Sequence, residues 1–310
     1  MSTTEPPSAS LPGEFALCLT HDVDRPYKTY QGLYHGLRRG SGYHLGTLRP
    51  GVNPYWQFET IVDIEAEFDV RSAFYFLDEP SLFAYRPRAW LRPANWVEHA
   101  GRYDVTAPAI REVVGDLDDG GWEVGLHASR LAASDPDRLA AEKERLEEVL
   151  GHRVRGCRHH HLRLDGDTWH HHRAAGFDYD ASLGHADMAG FQHGHAPRRP
   201  FDDDFLVLPL TAMEVALPDP GENRRRARSE VDRLLRTAER HGAVMTALWH
   251  PRYFNEREFP GYRDLYRYLI RRALAAGAWV GPPRDLVDAL TAGDGRTTGT
   301  RRGKPPDARA

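Results

Sequence analysis

The sequence predicts an α/β domain of parallel strands, arranged as a barrel or as a doubly wound sheet. Short β-like apolar runs alternate with amphipathic helical stretches from about residue 15 to 290, a pattern that argues for parallel strands joined by right-handed crossovers. Four of these runs end abruptly in residues that bind metals or move protons. Phe15–Thr20 runs into His21-Asp22-Val23-Asp24 and Trp122–Leu126 into His127. Val154–Cys157 runs into Arg158-His-His-His161, and Ala243–Trp249 into His250. In parallel barrels and open sheets the carboxyl ends of the strands converge on one mouth, so four such ends describe a single assembled site. No repeat or linker divides the middle, and 13–290 reads as one domain.

The elements follow in order. Strand 15–20 leads into a long connection, 27–53, rich in Gly, Tyr, Arg and His. Phe58, Ile61, Ile64 and Phe68 recur at helical spacing and mark a helix near 55–68. Strand 71–77 precedes a Pro- and Trp-containing insert over 78–103. A helix at about 107–119 precedes strand 122–127. Asp135-Pro136 opens a helix with Leu139, Leu146 and Leu150 as its apolar stripe, ended by Gly151; Pro just inside the start and Gly just past the end is the usual asymmetry. Strand 153–159 leads to a helix at 167–175. Short strands near 177–183 and 205–210 flank a loop of Gly, His and Pro. Helix 222–241, strand 243–249, helix 261–276, strand 278–280 and helix 283–290 close the domain. Segments 1–12 and 291–310 bury too little apolar surface to offset ordering entropy and are expected to be disordered tails.

At 310 residues and 40% hydrophobic, the chain can bury a substantial core. A formal net charge of -4 leaves no basic field for nucleic acid and no acidic block. Cys18 and Cys157 lie inside apolar runs and read as buried thiols, not as a disulfide. The first 13 residues lack an apolar signal-peptide core and no stretch reaches the length of a membrane span, so a cytoplasmic protein is expected. Histidine is the anomaly, with 17 in the chain and many between 151 and 195. The triplet His170–His172 falls in a helical stretch and reads as a surface feature.

Asp22 and Asp24, two apart at a strand end, can divide their work. One holds a metal and the other stays free as a base; equally, both fit a turn or helix cap. His127, coming after that pair on another strand, is the natural imidazole ligand for a divalent ion such as zinc. Arg158 can orient a carboxylate bidentately and hold it ionised, or stand as a surface charge. His250, between Trp249 and Pro251, suits a general acid or a capping residue.

Taken in order, Thr20-His-Asp-Val-Asp24, Gly125-Leu-His127 with Ser129, Arg158-His-His160, Tyr179-Asp-Ala-Ser-Leu-Gly184 with Gly190-Phe191, and Leu248-Trp-His250 resemble the motifs of the NodB-homology polysaccharide deacetylases, carbohydrate esterase family 4 and relatives. The resemblance covers about 15–290. It implies an irregular (β/α) barrel, usually seven-stranded, and metal-dependent hydrolysis of an N-acetyl amide on a sugar. By position it implies Asp22 as the base that activates water and Asp24 and His127 as metal ligands. Arg158 would brace the base, and His250 would protonate the leaving amine. The chain departs from the family in two places. Val23 separates two aspartates that are commonly adjacent, and Leu131 stands where a second ligand histidine is usual. His160 is then the candidate third ligand of one divalent ion, zinc by its mixed carboxylate and imidazole ligands, with cobalt, manganese or nickel compatible. A related C–N hydrolase acting on a cyclic ureide or imide, and a silent glycan-binding homologue, are the competing readings. The expected partner is a carbohydrate or glycan precursor. Tyr27, Tyr30, Tyr34, Tyr43 and Tyr55, with Trp90 and Trp96, fit a sugar-stacking surface or a small satellite core over the barrel, the core weighing more for the two Trp and the surface for the tyrosines.

Overall fold

Strand β1 (Ala16–Val23) is buried at all 8 positions, which requires cover on both faces. The computed structural model describes residues 11–28, 51–79 and 101–292, with parts of 32–49 and 81–96. Around β1 lie β2 (Ala73–Leu77), β3 (Glu123–Ala128), β4 (Gly156–His159), β5 (Tyr179–Asp180), β6 (Leu206–Val207), β7 (Leu210–Met213), β8 (Val244–Leu248) and β9 (Trp279–Gly281). The sheet runs β6-β5-β4-β3-β2-β1-β8-β7, and every ladder between these strands is parallel. On one edge β1 pairs with β8 through Ala16–Thr20. Its other edge is shared, with β9 against Ala16–Cys18 and β2 against Thr20–Val23.

The strands curl into an incompletely closed barrel with helices outside. These are α1 (Phe58–Ala66), α2 (Pro108–Asp119), α3 (Pro136–Leu150), α4 (Thr168–Ala174), α5 (Pro220–His241), α6 (Tyr262–Ala275) and α7 (Pro283–Ala292). Of the barrel and the doubly wound sheet, the chain forms the barrel. The run expected as one strand at 205–210 is two. On one edge Leu208 still donates to the Asp180 carbonyl and Leu210 to that of Leu183; on the other, Val207 donates to Arg198, Pro209 has no N–H to give, and from Leu210 the chain pairs with β8. The two outermost strands, β6 and β7, are thus joined by the turning chain and not by a ladder, which makes the barrel irregular.

The helix limits follow local chemistry. Asp135 caps α3 by accepting from the Arg138 N–H, and Gly151 ends it at φ 85, a left-handed turn that favours glycine. Helix α7 continues to Ala292, past the limit of 290 expected from sequence. Residues 1–10 and 293–310, where the tails were expected, lie outside the described residues. Both cysteines are buried and free, and no helix is long and apolar enough to cross a membrane among the described residues.

Strand alternation sorts side chains between two layers. Leu17, Leu19, Phe74 and Phe76 pack outward beneath the helices, whereas Ala16, Cys18, Ala73, Tyr75 and Tyr179 pack in a separate inner cluster. Thr20 and Asp22 continue the inner row of β1, while His21 belongs to the outer one. There His21 Nε2 meets Glu65 Oε1 at 3.1 Å, in a wholly buried node where Glu65 also accepts from Tyr266 Oη at 2.6 Å and Trp122 Nε1 at 2.7 Å. This node ties α1, α6 and β1 together. Replacing Glu65 with Leu strands these groups without a partner, at a cost of about 3 kcal/mol. Denaturant unfolding of Glu65→Leu tests this, and a loss below about 1 kcal/mol would contradict it.

Candidate active site

At the carboxyl end of the barrel, β1 and β4 deliver the first pair. Arg158, fully buried, donates from Nη1 to Asp22 Oδ1 and Thr20 Oγ1, both at 2.9 Å, and from Nε to the Ala181 carbonyl at 2.8 Å. Its guanidinium also lies 4.7 Å from the centroid of the Tyr75 ring. Burial opposes the charge, but the Asp22 carboxylate beside it more than compensates and raises the Arg158 pKa. Asp22 is thereby held by one oxygen, with the other turned toward His127 Nε2 at 3.8 Å.

Asp24, the first residue beyond the strand end, has different neighbours. Its Oδ1 lies 3.1 Å from His127 Nε2 and its Oδ2 lies 3.4 Å from His250 Nε2. Burial would raise its pKa, yet the imidazoles of His250 and His127 hold it well below the usual carboxylate range. His127 Nδ1 donates to the Arg158 carbonyl at 2.8 Å, which leaves Nε2 to face the carboxylates. Burial opposes protonation of His127, while Asp22 and Asp24 outweigh it and raise its pKa.

His160 completes the group. Ligand atoms of Asp24, His127 and His160 all lie within 4.8 Å of one another. The Nδ1 of His160 faces Glu79 Oε2 at 3.4 Å, so Nε2 is the nitrogen left for a ligand. A divalent ion fits this donor set on two grounds. Asp24 Oδ1 is buried and takes no hydrogen bond. Both histidines have Nδ1 engaged by an oxygen, the arrangement that orients ligating imidazoles. Leu131, where the family has a histidine, is not among these residues.

His250 follows β8 and is clamped from behind by Glu214, whose Oε1 is 2.8 Å from Nδ1. Burial would lower the pKa of this imidazole, but Glu214 and then Asp24 override it and push it up to about 10. Glu214, fully buried just after β7, was not singled out by the sequence reading. Nor was Glu79, behind His160. The only sequence signal is an acidic residue set against an apolar run, Glu79 after Asp78 and Glu214 alone.

A cavity of about 290 Å³ opens over these groups, walled by Asp22, Asp24, His127, His160, His250 and Arg252 among others. Its rim includes His161 and Leu162, both at positive φ (61 and 53), a costly pair of left-handed residues of the kind that gathers at functional sites. A larger hollow of about 870 Å³ lies near the amino ends of β4 and β5. Its Arg153, Arg155 and Arg173 are paired with Asp178, Asp288 and Asp203.

Other expectations need correction. His170 is exposed, but His172 of the same triplet is wholly buried, not a surface residue. It meets His159 Nε2 at 2.8 Å and Asp180 Oδ2 at 3.3 Å, in a chain that ties α4 to β4 and β5. The two Nε2 atoms meet one another, the Nδ1 of each ring is buried without a hydrogen-bond partner, and Cys157 and His159 point to the outer side of β4, away from Arg158. The aromatic residues divide between the two readings. Tyr55 is buried, Tyr27 packs on Trp56, and Tyr43 bonds to Glu258, while Trp90 and Trp96 are 38% and 46% exposed beside Phe83. Tyr30 and Tyr34 lie outside the described residues.

Solved structures share this architecture. A Mycobacterium smegmatis protein assigned as a polysaccharide deacetylase aligns over 94% of this chain and 96% of its own, at a TM-score of 0.61 and 18% identity. Puue allantoinase aligns over 93% and 95%, at 0.58 and 14%. A Pseudomonas aeruginosa PAO1 protein assigned as a polysaccharide deacetylase aligns over 92% and 94%, at 0.57 and 14%. No family model matches the sequence, and no curated protein does. At such identities the likeness is one of fold, and the fold is the deacetylase-type irregular barrel that the motifs imply.

Glu214 gives the first test of the site's electrostatics. The Glu214 carboxylate raises the His250 pKa, so Glu214→Gln lowers it and His250 loses its proton at lower pH. In metal-free protein, NMR titration of the imidazole should place the wild-type value near 10 and the variant's clearly lower. An unchanged midpoint would contradict the assignment.

Proposed function

We propose that the chain is a metal-dependent hydrolase of non-peptide carbon–nitrogen bonds, and that it removes the acetyl group from an N-acetylated sugar or glycan precursor. One observation carries the reading: two carboxylates only two residues apart have different nearest partners, with His127 Nε2 between them. Asp22 is bound by Arg158, while Asp24 faces His127 and His250. Such divided environments separate a base from a ligand. Asp24, His127 and His160 would hold one divalent ion, zinc by the nature of the donors. When bound, that ion supplies Lewis-acid polarisation of the acyl oxygen.

The chain's own residues account for the proton movements. Arg158 fixes Asp22, which takes a proton from the water that attacks the acyl carbon. His250, held protonated by Glu214, gives its Nε2 proton to the nitrogen as the C–N bond breaks. Acetate and a free amine leave. The cavity of about 290 Å³ has the size for a single small unit of substrate. That size, with an allantoinase among the structures of like fold, also favours a second reading in which the bond cleaved lies in a small cyclic ureide. We place the protein in the cytoplasm, on the sequence expectation alone.

Acetate release from chitooligosaccharides and nucleotide N-acetyl sugars, set beside ring opening of cyclic ureides, decides between the two; activity on the ureides alone would overturn the first. Under either reading Asp22→Asn lowers turnover by about 10²–10⁴-fold, and near wild-type turnover would sink the mechanism. The acid must be protonated, so activity falls as pH rises through the His250 pKa. His250→Ala should lack this alkaline limb.

A further inference from the structure

Arg252 is a cation with no anion to meet. It lies in the turn Pro251–Phe254, two residues after His250, and lines both the cavity and the small hollow beside Asp24 and Arg25. Its guanidinium makes no ion pair that the structure shows among the described residues; its side-chain hydrogen bond is to the neutral hydroxyl of Tyr253, and its Nε is buried without a partner. Its recorded neighbour is the ring of Tyr253, with the centroid 5.2 Å away. The nearest acidic groups are engaged elsewhere, Glu214 by His250 and Asp24 by His127 and His250. Enclosed cations are normally paired, and a planar guanidinium matches the two oxygens of a carboxylate or phosphate.

Charge balance points the same way. Around the cavity Asp22, Asp24, Glu79 and Glu214 face the fixed cations Arg158, Arg25 and Arg252. A divalent ion on Asp24, His127 and His160 would leave the cavity net positive, which favours an anionic guest.

We propose that Arg252 binds an oxyanion of the substrate, so that the site takes N-acyl compounds carrying a carboxylate or a phosphate close to the amide. This rests on reading the cavity as the acyl-amide site. The test uses zinc-loaded full-length protein carrying Asp22→Asn, which slows turnover, and calorimetric titration with three probes. They are neutral N-acetylglucosamine, N-acetylmuramic acid with its carboxylate, and N-acetylglucosamine 1-phosphate. At least one anionic probe should bind about 10–100-fold more tightly than the neutral one, the size of a charge-assisted contact; which of the two does so identifies the oxyanion. Adding Arg252→Gln should erase that preference, while Arg252→Lys, which keeps the charge but loses the fork, should retain part of it. Equal affinity for all three probes, no measurable binding of either anionic probe, or a preference that survives Arg252→Gln would overturn the proposal. Acetate release by the wild-type protein is read separately. Arg252-dependent binding without acetate release would refute deacetylation and still support the anion site.

Discussion

A guanidinium buried at the centre of the barrel has to be paired, and much of the site's geometry follows from how Arg158 is. Its side chain holds β1 through Asp22 and Thr20 and β5 through Ala181, and its backbone carbonyl takes the Nδ1 proton of His127 on β3. One residue therefore fixes the carboxylate and sets the imidazole tautomer. Removing either partner of such a buried pair leaves an uncompensated charge, which costs far more than the pair itself contributes. Polar strand ends inside a barrel are tolerable only as a network, and around the cavity this one leaves Asp24 Oδ1, Arg158 Nη2, Glu214 Oε2 and Arg252 Nε without a hydrogen-bond partner.

These open positions show where chemistry can happen. An acceptor oxygen at Asp24, facing a nitrogen whose ring is anchored from behind, is a demand for a cation. Glu79 behind His160 and Glu214 behind His250 repeat one device, a carboxylate that orients an imidazole. The consequences differ with position. Behind His160 the carboxylate leaves Nε2 directed at the group of ligands, while behind His250 it favours the protonated ring.

Much of this was legible in sequence because reactive residues sit directly after apolar runs, where strand direction dictates their place. Asp22, Asp24, His127, Arg158, His160 and His250 all come from such ends; five of them line one cavity, and Arg158 is bonded to Asp22 behind it. What was not legible depends on distant contacts. Glu79 and Glu214 have no local pattern that separates them from ordinary acidic residues, since their partners are 81 and 36 residues away. The division of 205–210 into β6 and β7 turns on the missing N–H of Pro209 and a change of neighbour. His172 looked like surface because its triplet is polar, yet only two of its three ring positions can face outward on one helical turn, and Asp180 and His159 wait beneath the third.

The central claim is that Asp24, His127 and His160 form one divalent-ion site, with His160 in place of the ligand that Leu131 does not provide. Metal stoichiometry after equilibrium dialysis against zinc measures it directly. The account predicts one ion per chain in the wild-type protein, loss of that ion in His127→Ala, and weaker binding by about 10–100-fold or more in His160→Ala. Stoichiometric, tightly held zinc in His127→Ala would contradict it; undiminished affinity in His160→Ala alone would remove that residue from the ligand set.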